Sequence, residues 1–477
     1  MHKPDEVFDR DAEWEALREF ATSTSPHALL GVVHGRRRQG KSLLLQALCE
    51  QTGGVYLSAS ELTGREALAQ FGRSLGEARG LPPLALTDWA VALDVVLAIS
   101  SGPPVPVVID EFPYLAAAVP ELPSLLQAAL APRRAARLAS RVRLILCGSA
   151  LSFMGALLSG TAPLRGRASL ELAVAPFDYR TAARFWGAQD PALALRLHAV
   201  VGGTPAYRRE FVDSAAPTSR AGFDRWVVRR VLDPRSPLFR EARYLLAEEA
   251  ELRDVVGYHA LLSAVVGGET TRAGMASRLG RTGPDLSHHL TVLEDAGLLE
   301  RREDAARARR PSYRIAEPLL AFYAAVMRPA WPRLERGRGE EVWAGARETF
   351  SAQLLGPHLE SLAREWLLLH ASPETLGGVA GRVGSTVVPD RAGRTSLELD
   401  LVALEEGGSR VLAVGEVKLG EWLGRRHVER LRRARELLGP RAAGARLLLV
   451  TGGGFEEAVL ADPEVETVDL ARLYKGS

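Results

Sequence analysis

The sequence is poor in several features that would indicate a compartment or a class of protein. It contains two cysteines in 477 residues, Cys49 and Cys147, too few for a disulfide framework or a cysteine zinc site. No uncharged apolar run reaches the ~18 residues that a membrane span needs, and the acidic, polar first segment is unlike a signal peptide. The formal net charge is only +2, so total charge indicates no nucleic-acid partner. We therefore expect a cytoplasmic protein without a membrane partner.

Lysine is the scarcest of the charged residues. Among 60 basic residues the lysines are only Lys3, Lys41, Lys418 and Lys475. Arginine is a broad planar fork and lysine a compact point charge, so an internal lysine here marks a place where a fork would not fit. Two of the four lie near the chain ends, which leaves Lys41 and Lys418 as candidates for functional sites.

The first motif surrounds Lys41. The apolar run LLGVVHG is typical of a buried strand, GRRRQGKS ends at Ser42, and the apolar-periodic SLLLQALCEQ predicts a helix. A glycine loop between a strand and a helix is the context of a Walker A motif, in which backbone N–H groups and the helix N-terminus face phosphates. Lys41 would reach the β- and γ-phosphates and Ser42 would bind Mg²⁺; the alternative is a glycine loop without a ligand. The predicted nucleotide-binding residues are Gly35, Arg36, Arg37, Arg38, Gln39, Gly40, Lys41, Ser42 and Leu43.

A second buried strand, VPVVID, ends in Asp110 and is followed by Glu111. This is the Walker B pattern, in which an apolar strand presents a carboxylate to a metal ion. Asp110 would hold Mg²⁺, and Glu111 would polarise the attacking water. An Asp-Glu pair also occurs at ordinary strand ends, but the preceding Walker A motif favours the functional interpretation.

Three further residues are candidates for the same nucleotide site. Ser149 follows a third apolar strand at residues 143–147 and would lie at the strand tip, or else cap the helix that follows. Arg165 and Arg167, in PLRGRASLEL, would approach the γ-phosphate from the same chain or from a neighbouring copy. The alternative for both arginines is a solvated basic loop.

In their order along the chain, these segments resemble the archaeal-type ATPases of the AAA+/STAND group over about residues 7–330. The segments that carry the resemblance are FDRDAEWEAL, GRRRQGKS, VVIDEFPYL, LILCGSALSFM, PLRGR and VGGTPAYRREF. The resemblance implies ATP and Mg²⁺ as ligands, a γ-phosphate sensor at Ser149, and adenine contacts from Gly203 and Pro205. Gly-Gly-Thr-Pro after an apolar helix also has a simpler interpretation as a helix stop.

Residues 246–332 predict a winged helix-turn-helix. An apolar helix ends at Gly267 and Gly268, two helices with a short turn follow, and RARRPSYRIA predicts a basic loop and a strand. The second helix of the turn would lack the arginine or asparagine forks that usually read bases. The side chains that it would expose are Ser287, His288, His289, Thr291, Glu294 and Asp295. The arginines of the wing would grip phosphates without reading sequence: Arg307, Arg309 and Arg310. The alternative is a structural lid or a protein-contact module.

The last part of the chain predicts a helix and then a β-hairpin. LELDLVAL alternates apolar and polar residues, a Glu-Glu-Gly-Gly-Ser turn follows, and VLAVGEVKLG returns. With a period of two, Glu398 and Asp400 share one face of the first strand, and Glu416 and Lys418 share one face of the second. Acidic side chains and a lysine can therefore meet at one point.

That spacing resembles the PD-(D/E)XK nucleases, with LELD in place of Pro-Asp. The resemblance implies that Asp400 and Glu416 bind Mg²⁺ or Mn²⁺ through hard oxygens, and that Lys418 orients or activates water. Glu360, on the preceding helix, would complete the metal shell. The arginine-rich WLGRRHVERLRRARELLG would contact a DNA backbone. The alternative is an ordinary Glu-x-Lys strand in a domain that does not cut.

These predictions combine into an α/β protein with a P-loop AAA+-like parallel-sheet ATPase, a helical lid, a winged helix and a C-terminal α/β restriction-endonuclease-like domain. The predicted domains are residues 1–185, 186–245, 246–332 and 340–477. The expected function is an ATP-binding and ATP-hydrolysing enzyme that acts on DNA, with a metal-dependent nuclease-like domain and self-association. The alternative is a STAND-like nucleotide switch whose last domain is a non-cleaving scaffold for DNA or protein.

Overall fold

The computed structural model describes residues 2–160, 162–212, 216–247, 254–306 and 311–477. The chain divides into two compact units, Met1–Pro176 and Phe177–Ser477, here called the first and second units. Within the described residues, every helix is too short or too polar to cross a membrane.

The first unit alternates strands and helices. Its helices are α1 (Asp11–Thr22), α2 (Lys41–Thr52), α3 (Gly64–Ala78), α4 (Trp89–Leu97), α5 (Phe112–Ala118), α6 (Leu122–Ala129), α7 (Ala135–Ala139) and α8 (Leu151–Leu158). Its strands are β1 (Leu29–His34), β2 (Val55–Ser58), β3 (Val105–Asp110), β4 (Val142–Gly148) and β5 (Ala168–Ala173).

These five strands form one parallel sheet in the order β2-β3-β4-β1-β5, which confirms the predicted parallel α/β architecture of this part. Alternate side chains of the central strands enter cores on opposite faces, as Leu144 and Ile145 do on β4. A parallel sheet covered on both faces is expected to have such continuously apolar strands. Because the strands are parallel, the segments after β1, β3 and β4 leave the sheet at the same edge, where the predicted nucleotide site lies.

One charged side chain lies inside the first unit without a carboxylate beside it. Arg143, on β4, has no solvent exposure. Its guanidinium donates to the carbonyl oxygens of Ser23, Ser25 and His27 at 2.6–2.9 Å and to that of Val142 at 3.3 Å. The planar fork thus satisfies carbonyl groups of the segment between α1 and β1, which fixes that segment against the sheet.

We expect Arg143→Met to lower the stability of the protein by about 3 kcal/mol, because several buried carbonyls would lose a charged donor. Calorimetric unfolding of the nucleotide-free protein measures this loss. The control is Arg133→Met, the same change at an exposed arginine of this unit, which we expect to cost less than about 0.5 kcal/mol. Equal effects of the two changes would contradict the role of the Arg143 fork.

The second unit contains helices along its whole length. They are α9 (Tyr179–Trp186), α10 (Pro191–Val201), α11 (Arg220–Trp226), α12 (Pro237–Ala247), α13 (Val255–Val266), α14 (Arg272–Leu279), α15 (Gly283–Asp295), α16 (Pro318–Phe322), α17 (Trp331–Glu335), α18 (Gly339–Thr349), α19 (Gly356–Leu369), α20 (Pro373–Leu376), α21 (Arg425–Leu437), α22 (Glu457–Leu460) and α23 (Leu470–Lys475). Short π-helical segments are Tyr207–Phe211, Val227–Val231, Tyr323–Met327 and Phe350–Leu355, and 3₁₀ turns are Arg328–Ala330 and Pro440–Ala442.

The strands of the second unit are β6 (Leu299–Arg302), β7 (Ser312–Ile315), β8 (Ala380–Asp390), β9 (Thr395–Glu405), β10 (Val411–Lys418), β11 (Trp422–Leu423), β12 (Arg446–Thr451), β13 (Gly454–Phe455) and β14 (Val465–Asp469). The main sheet has the order β14-β12-β10-β9-β8. β8, β9 and β10 are antiparallel neighbours, whereas β12 and β14 continue the sheet in parallel. The predicted hairpin of β9 and β10 is confirmed, and α19 and α21 pack on this sheet.

Helices α13, α14 and α15 are followed by the antiparallel hairpin of β6 and β7. This is the element order of the winged-helix prediction, and the winged-helix fold itself stays a prediction. The predicted exposure of α15 needs correction, because Ser287, His289 and Glu294 are half-buried. Ser287 accepts from Arg272 at 3.2 Å, and the ring of His289 lies 3.1 Å from Asp254. The predicted phosphate-binding arginines of the wing lie outside the described residues: Arg307, Arg309 and Arg310. The division into four domains stays a prediction.

A histidine pair joins α10 to α19 inside the second unit. His198 Nδ1 lies 2.9 Å from His358 Nε2, a contact in which one neutral ring donates to the other. Burial, together with the nearby charge of Arg314, lowers the pKa of His198 to about 4. Burial and His198 itself hold the pKa of His358 well below its ordinary value. Both rings are therefore neutral in the folded protein at pH 7.

A lowered pKa in the folded state makes stability depend on pH. The unfolded chain binds more protons between pH 6.5 and about 4 than the folded chain does, so stability is lost as the pH falls through this range. We expect His198→Asn to reduce the loss of unfolding free energy between pH ~7 and ~4.5, a loss to which His198 contributes at most roughly 3 kcal/mol. Calorimetry at both pH values tests this. The control is His288→Asn, at an exposed histidine; an unchanged pH dependence in His198→Asn would contradict the expectation.

Candidate functional site

The loop between β1 and α2 has the backbone that a phosphate-binding loop needs. Gly35 has a φ of 155°, and a Cβ added there would lie 2.3 Å from the carbonyl oxygen of Val174. Gly40, immediately before α2, has a φ of 87°, which favours glycine strongly. Arg38 also takes a left-handed conformation, with a φ of 68°. Gln39 is buried, and its carbonyl accepts from Arg10, so the loop is held from outside as well.

Lys41 lies within this loop, with only 6% of its surface exposed. Its ammonium donates to the carbonyl oxygens of Gly35 at 2.6 Å and Arg36 at 2.8 Å. Burial lowers the pKa of Lys41, against the attraction of Asp110 and Glu111. A phosphate in the loop would therefore meet a partly desolvated ammonium, whose present partners are only neutral carbonyls.

The predicted Walker A and Walker B residues are brought together by a direct hydrogen bond. Ser42, at the start of α2, donates to Asp110 Oδ2 at the end of β3 over 2.7 Å. Tyr56, from β2, donates to the same oxygen. Burial alone would raise the pKa of Asp110, but hydrogen bonds from Cys147, Tyr56 and Ser42 hold it below its ordinary value. An ionised carboxylate beside a hydroxyl is a donor set that suits Mg²⁺.

Glu111 and Ser149 are also brought together at this edge. Glu111 has a φ of 52°, so the chain turns sharply after β3, and its carboxylate accepts from Ser149 Oγ at 3.3 Å. Arg37 lies 3.4 Å from the same Ser149 Oγ and donates to the hydroxyl of Tyr114. The sequence predicts Arg37 as a nucleotide-binding residue but not its contact with Ser149, and it does not identify Tyr56 or Tyr114, because these contacts join segments far apart in sequence.

The structure does not place Arg165 and Arg167 beside this loop. They precede β5, whose first residue pairs with Leu30 near the start of β1, whereas the phosphate-binding loop follows the end of β1. The two arginines therefore lie near the opposite edge of the sheet, and Arg165 is exposed and donates to the carbonyl of Gly160. The prediction that either approaches the γ-phosphate within one chain is corrected accordingly. Approach from a neighbouring copy stays a prediction.

Gly203 and Pro205 belong to the second unit, just after α10, and both are buried. A Cβ on Gly203 would lie 1.9 Å from the carbonyl oxygen of Phe177, and the Phe177 N–H donates to the Gly203 carbonyl at 2.9 Å. Close backbone contact is thus one reason for glycine at this position. Adenine binding by these two residues stays a prediction.

In the second unit, the structure brings together Asp400, Glu416 and Lys418. The Lys418 ammonium lies 3.0 Å from Glu416 Oε1 and 3.7 Å from Asp400 Oδ2. Asp400 also accepts from the backbone N–H of Val417 at 2.8 Å, which couples the two strands at this point. Burial lowers the pKa of Lys418, but attraction to Asp400 and Glu416 outweighs burial and the pKa is raised, so Lys418 is a cation here.

Glu416 is the most enclosed member of this centre, with 2% of its surface exposed. Arg430, from α21, donates to Glu416 Oε1 at 2.6 Å and to the carbonyl of Glu398 at 2.9 Å. Glu416 Oε2 is buried without a hydrogen-bond partner. An unsatisfied buried carboxylate oxygen is costly, and a metal ion held by Glu416 and Asp400 would satisfy it, so these residues fit Mg²⁺ or Mn²⁺.

Glu360 lies close to this centre but has a different partner. Arg364 donates to Glu360 at 2.9 Å and to the carbonyl oxygen of Asp400 at 2.9 Å. Burial raises the pKa of Glu360, with Arg364 opposing and Asp400 reinforcing the shift. Glu360 and Arg364 also line a cavity of about 350 Å³. In the described part of the chain, no three acidic, histidine or cysteine side chains are arranged to hold one metal ion, so Glu360 does not complete a three-carboxylate cluster in this conformation.

The arginines of α21 are less available to a DNA backbone than their number indicates. Most of them form ion pairs with acidic side chains of the same unit: Arg426 with Glu421, Arg430 with Glu416, Arg432 with Asp462 and Glu464, Arg433 with Asp390 and Glu436, and Arg435 with Glu464. Arg433 donates to both carboxylate oxygens of Asp390 and lowers the pKa of that carboxyl to about 2. DNA-backbone binding by this helix stays a prediction, with most of its arginines already paired and α21 packed across β8, β9, β10 and β12.

The chain matches no protein-family model and no functionally curated protein. Among solved structures it is similar to a Walker-type ATPase of Pyrococcus abyssi, at 20% identity and a TM-score of 0.48 over 68% of this chain and 97% of that one. It is also similar to the ORC2 protein of Aeropyrum pernix, at 15% identity and a TM-score of 0.39 over 73% of this chain and 97% of that one. A third similar structure is Cdc6p of Pyrobaculum aerophilum, at 12% identity and a TM-score of 0.33 over 72% of this chain and 97% of that one. Likenesses this low assign no activity to the chain.

Proposed function

We propose that the first unit binds and hydrolyses ATP. The observation that carries this proposal is the hydrogen bond from Ser42 to Asp110, beside the buried ammonium of Lys41. It joins the end of β3 to the start of α2, which follows β1 and the glycine loop. The Ser42 hydroxyl, the Asp110 carboxylate and the Lys41 ammonium therefore lie at one edge of the sheet. That combination suits a nucleotide triphosphate with its divalent ion.

Each residue of this edge has a distinct part in the proposed reaction. Backbone N–H groups from Gly35 to Ser42 would bind the phosphates, and Lys41 would leave its two carbonyl partners for the β- and γ-phosphates. Bound Mg²⁺ would neutralise charge on the phosphates, with Ser42 and Asp110 as its ligands. Glu111 would orient the water that attacks the γ-phosphorus, and Ser149, which now donates to Glu111, is positioned to exchange that contact for a γ-phosphate oxygen.

We expect Lys41→Ala to reduce ATP hydrolysis by at least about 100-fold, because the developing phosphate charge would lose its cation. Phosphate release measures ATP hydrolysis, and a fluorescent ATP analogue measures nucleotide binding separately. The control is Lys475→Ala, which removes an exposed lysine near the chain end. Full ATP hydrolysis by Lys41→Ala would contradict the proposed site.

We further propose that the second unit cleaves a phosphodiester bond of DNA in a metal-dependent reaction. Support comes from the convergence of Asp400, Glu416 and Lys418 on neighbouring strands and from the unsatisfied Glu416 Oε2. A metal ion bound there would supply a Lewis acid for the phosphate. Lys418 would hold the attacking water. The water oxygen would form a bond to phosphorus as the bond from phosphorus to one sugar oxygen breaks, and the water would release a proton while the departing sugar oxygen takes one up.

We expect Lys418→Ala to abolish DNA cleavage and to leave ATP hydrolysis intact, because the two reactions use separate residues. Linear, supercoiled, single-stranded and branched DNA, each with Mg²⁺ or Mn²⁺ and with or without ATP, are the substrates to compare. Lys475→Ala is again the matched control. Cleavage that persists in Lys418→Ala would refute the proposed centre.

A second candidate function is a nucleotide-controlled switch whose second unit binds DNA or protein without cutting. Two observations favour it: Arg430 already occupies one oxygen of Glu416, and the Glu360 carboxylate is paired with Arg364. ATP would then act through self-association or partner binding. Wild-type protein that hydrolyses ATP but cleaves none of the four DNA substrates would favour this function over the nuclease.

A further inference from the structure

The second unit carries an exposed tryptophan close in sequence to the Asp400, Glu416 and Lys418 centre. Trp422, on the short strand β11, has 67% of its surface exposed. All eight tryptophans lie in the described part of the chain, and the other seven are buried or half-buried. An indole that stays in water forgoes a large hydrophobic gain, so the position and support of this side chain are informative.

The indole of Trp422 rests on a glycine. β11 pairs in parallel with β13, which sets Trp422 opposite Gly454. A Cβ added to Gly454 would lie 3.0–3.1 Å from three consecutive atoms of the six-membered ring. Such nearly equal distances place Gly454 over the face of the ring and not at its edge. One face of the Trp422 ring therefore lies against the backbone of Gly454, in space that any side chain at position 454 would fill. Most of the side chain is open to solvent.

This platform belongs to the strand edge that carries the proposed cleavage centre. β10 ends at Lys418 and the neighbouring parallel strand β12 ends at Thr451, and the segments that follow are joined by hydrogen bonds. The N–H of Gly452 donates to the Lys418 carbonyl at 3.3 Å, and the Thr451 hydroxyl donates to the Glu421 carbonyl at 2.8 Å. Trp422 lies four positions after Lys418 in the chain, so their Cα atoms are at most ~14 Å apart. At ~3.4 Å per nucleotide of a stacked strand, this upper limit corresponds to about four nucleotides.

Charges of both signs lie close to Trp422: Glu421 and Glu456 are exposed acids, and two exposed arginines can contact phosphate. Arg425 and Arg426, at the start of α21, are exposed, and 77% of the Arg426 side chain faces solvent although it lies 3.4 Å from Glu421. An exposed ion pair of this kind is weak, so Arg426 can exchange Glu421 for a phosphate at little cost. An aromatic face with adjacent arginines is the combination that binds single-stranded nucleic acid.

We propose that Trp422 is a stacking subsite for an unpaired nucleobase of the strand whose phosphodiester lies at Asp400, Glu416 and Lys418. This inference rests on the proposed function of the second unit and narrows its substrate class. A base inside a duplex is stacked on both faces and presents none to the indole, so the preferred substrate has unpaired nucleotides near the scissile phosphate. Because every base has a flat face, the subsite selects strandedness and not sequence.

Binding of a short single-stranded oligonucleotide to the full-length protein in EDTA, where no cleavage occurs, tests the subsite directly. We expect Trp422→Ala to weaken binding by about 5- to 150-fold, and Trp422→Phe to retain most of the affinity because a flat ring remains. The oligonucleotide should also quench the exposed indole fluorescence of wild type but not of Trp422→Phe. The control is Leu460→Ala, which truncates another exposed apolar side chain of this unit and should leave affinity unchanged.

A blunt duplex of the same length separates this inference from general nucleic-acid binding. We expect weaker duplex binding that does not depend on Trp422. Equal affinity of wild type and Trp422→Ala for the single strand, or no single-strand binding by wild type, would overturn the subsite. Binding that depends on Trp422, together with no cleavage of any substrate in Mg²⁺ or Mn²⁺, would leave the subsite standing and refute only the nuclease activity.

Discussion

The hydrogen bond between Ser42 and Asp110 is the contact on which the proposed chemistry of the first unit depends. It joins the first turn of α2 to the end of β3, and it can do so because β1, β4 and β3 run parallel in one sheet. The parallel order brings the ends of these three strands to one edge. Tyr56 on β2 and Cys147 on β4 then surround Asp110 and keep its pKa low in a buried place. A carboxylate that stays ionised without water is ready for a divalent cation.

The second unit reaches a comparable arrangement by a different route. Here an antiparallel hairpin of β9 and β10 sets Asp400 beside Glu416 and Lys418. Lys418 and Arg430 offset the cost of burying the charged Glu416 carboxylate, yet both contact Oε1 and leave Oε2 without a partner. The charges of the centre therefore cancel, but one carboxylate oxygen has no partner. A metal ion could replace Lys418 or Arg430 at Glu416, and a phosphate could then pair with the released cation.

The sequence predicted the local features of both sites and missed the long-range ones. Strand, glycine loop and helix around Lys41, and the alternation that pairs Asp400 with Glu416, are encoded within about twenty residues. The partners Tyr56 and Arg430 come from other elements, so no local pattern identifies them. Arg165 and Arg167 were candidates for the γ-phosphate because their segment follows the predicted sensor strand, but the register of β5 with β1 sets them near the other edge of the sheet.

Charge patterning was incomplete for a related reason at α21. Helical periodicity shows that its arginines cover the exposed face, but it cannot show that acidic side chains such as Asp390, Asp462 and Glu464 lie opposite them. These acids are up to about forty residues away along the chain. The same limit applies to Trp422: the sequence shows a tryptophan two residues after Gly420, and only the pairing of β11 with β13 shows that Gly454 leaves its ring accessible.

The scarcity of lysine, by contrast, was informative because it reflects a geometric constraint. Arg143 and Lys41 are both buried cations that donate to backbone carbonyls in the first unit. Arg143 reaches carbonyls spread from Ser23 to Val142, which needs a wide planar fork with several donors. Lys41 reaches two adjacent carbonyls inside a tight loop, where a guanidinium would be too broad. Neutral carbonyl partners of this kind can be exchanged for a phosphate without separating an ion pair, so the loop can hold its lysine in place and still release it to a ligand.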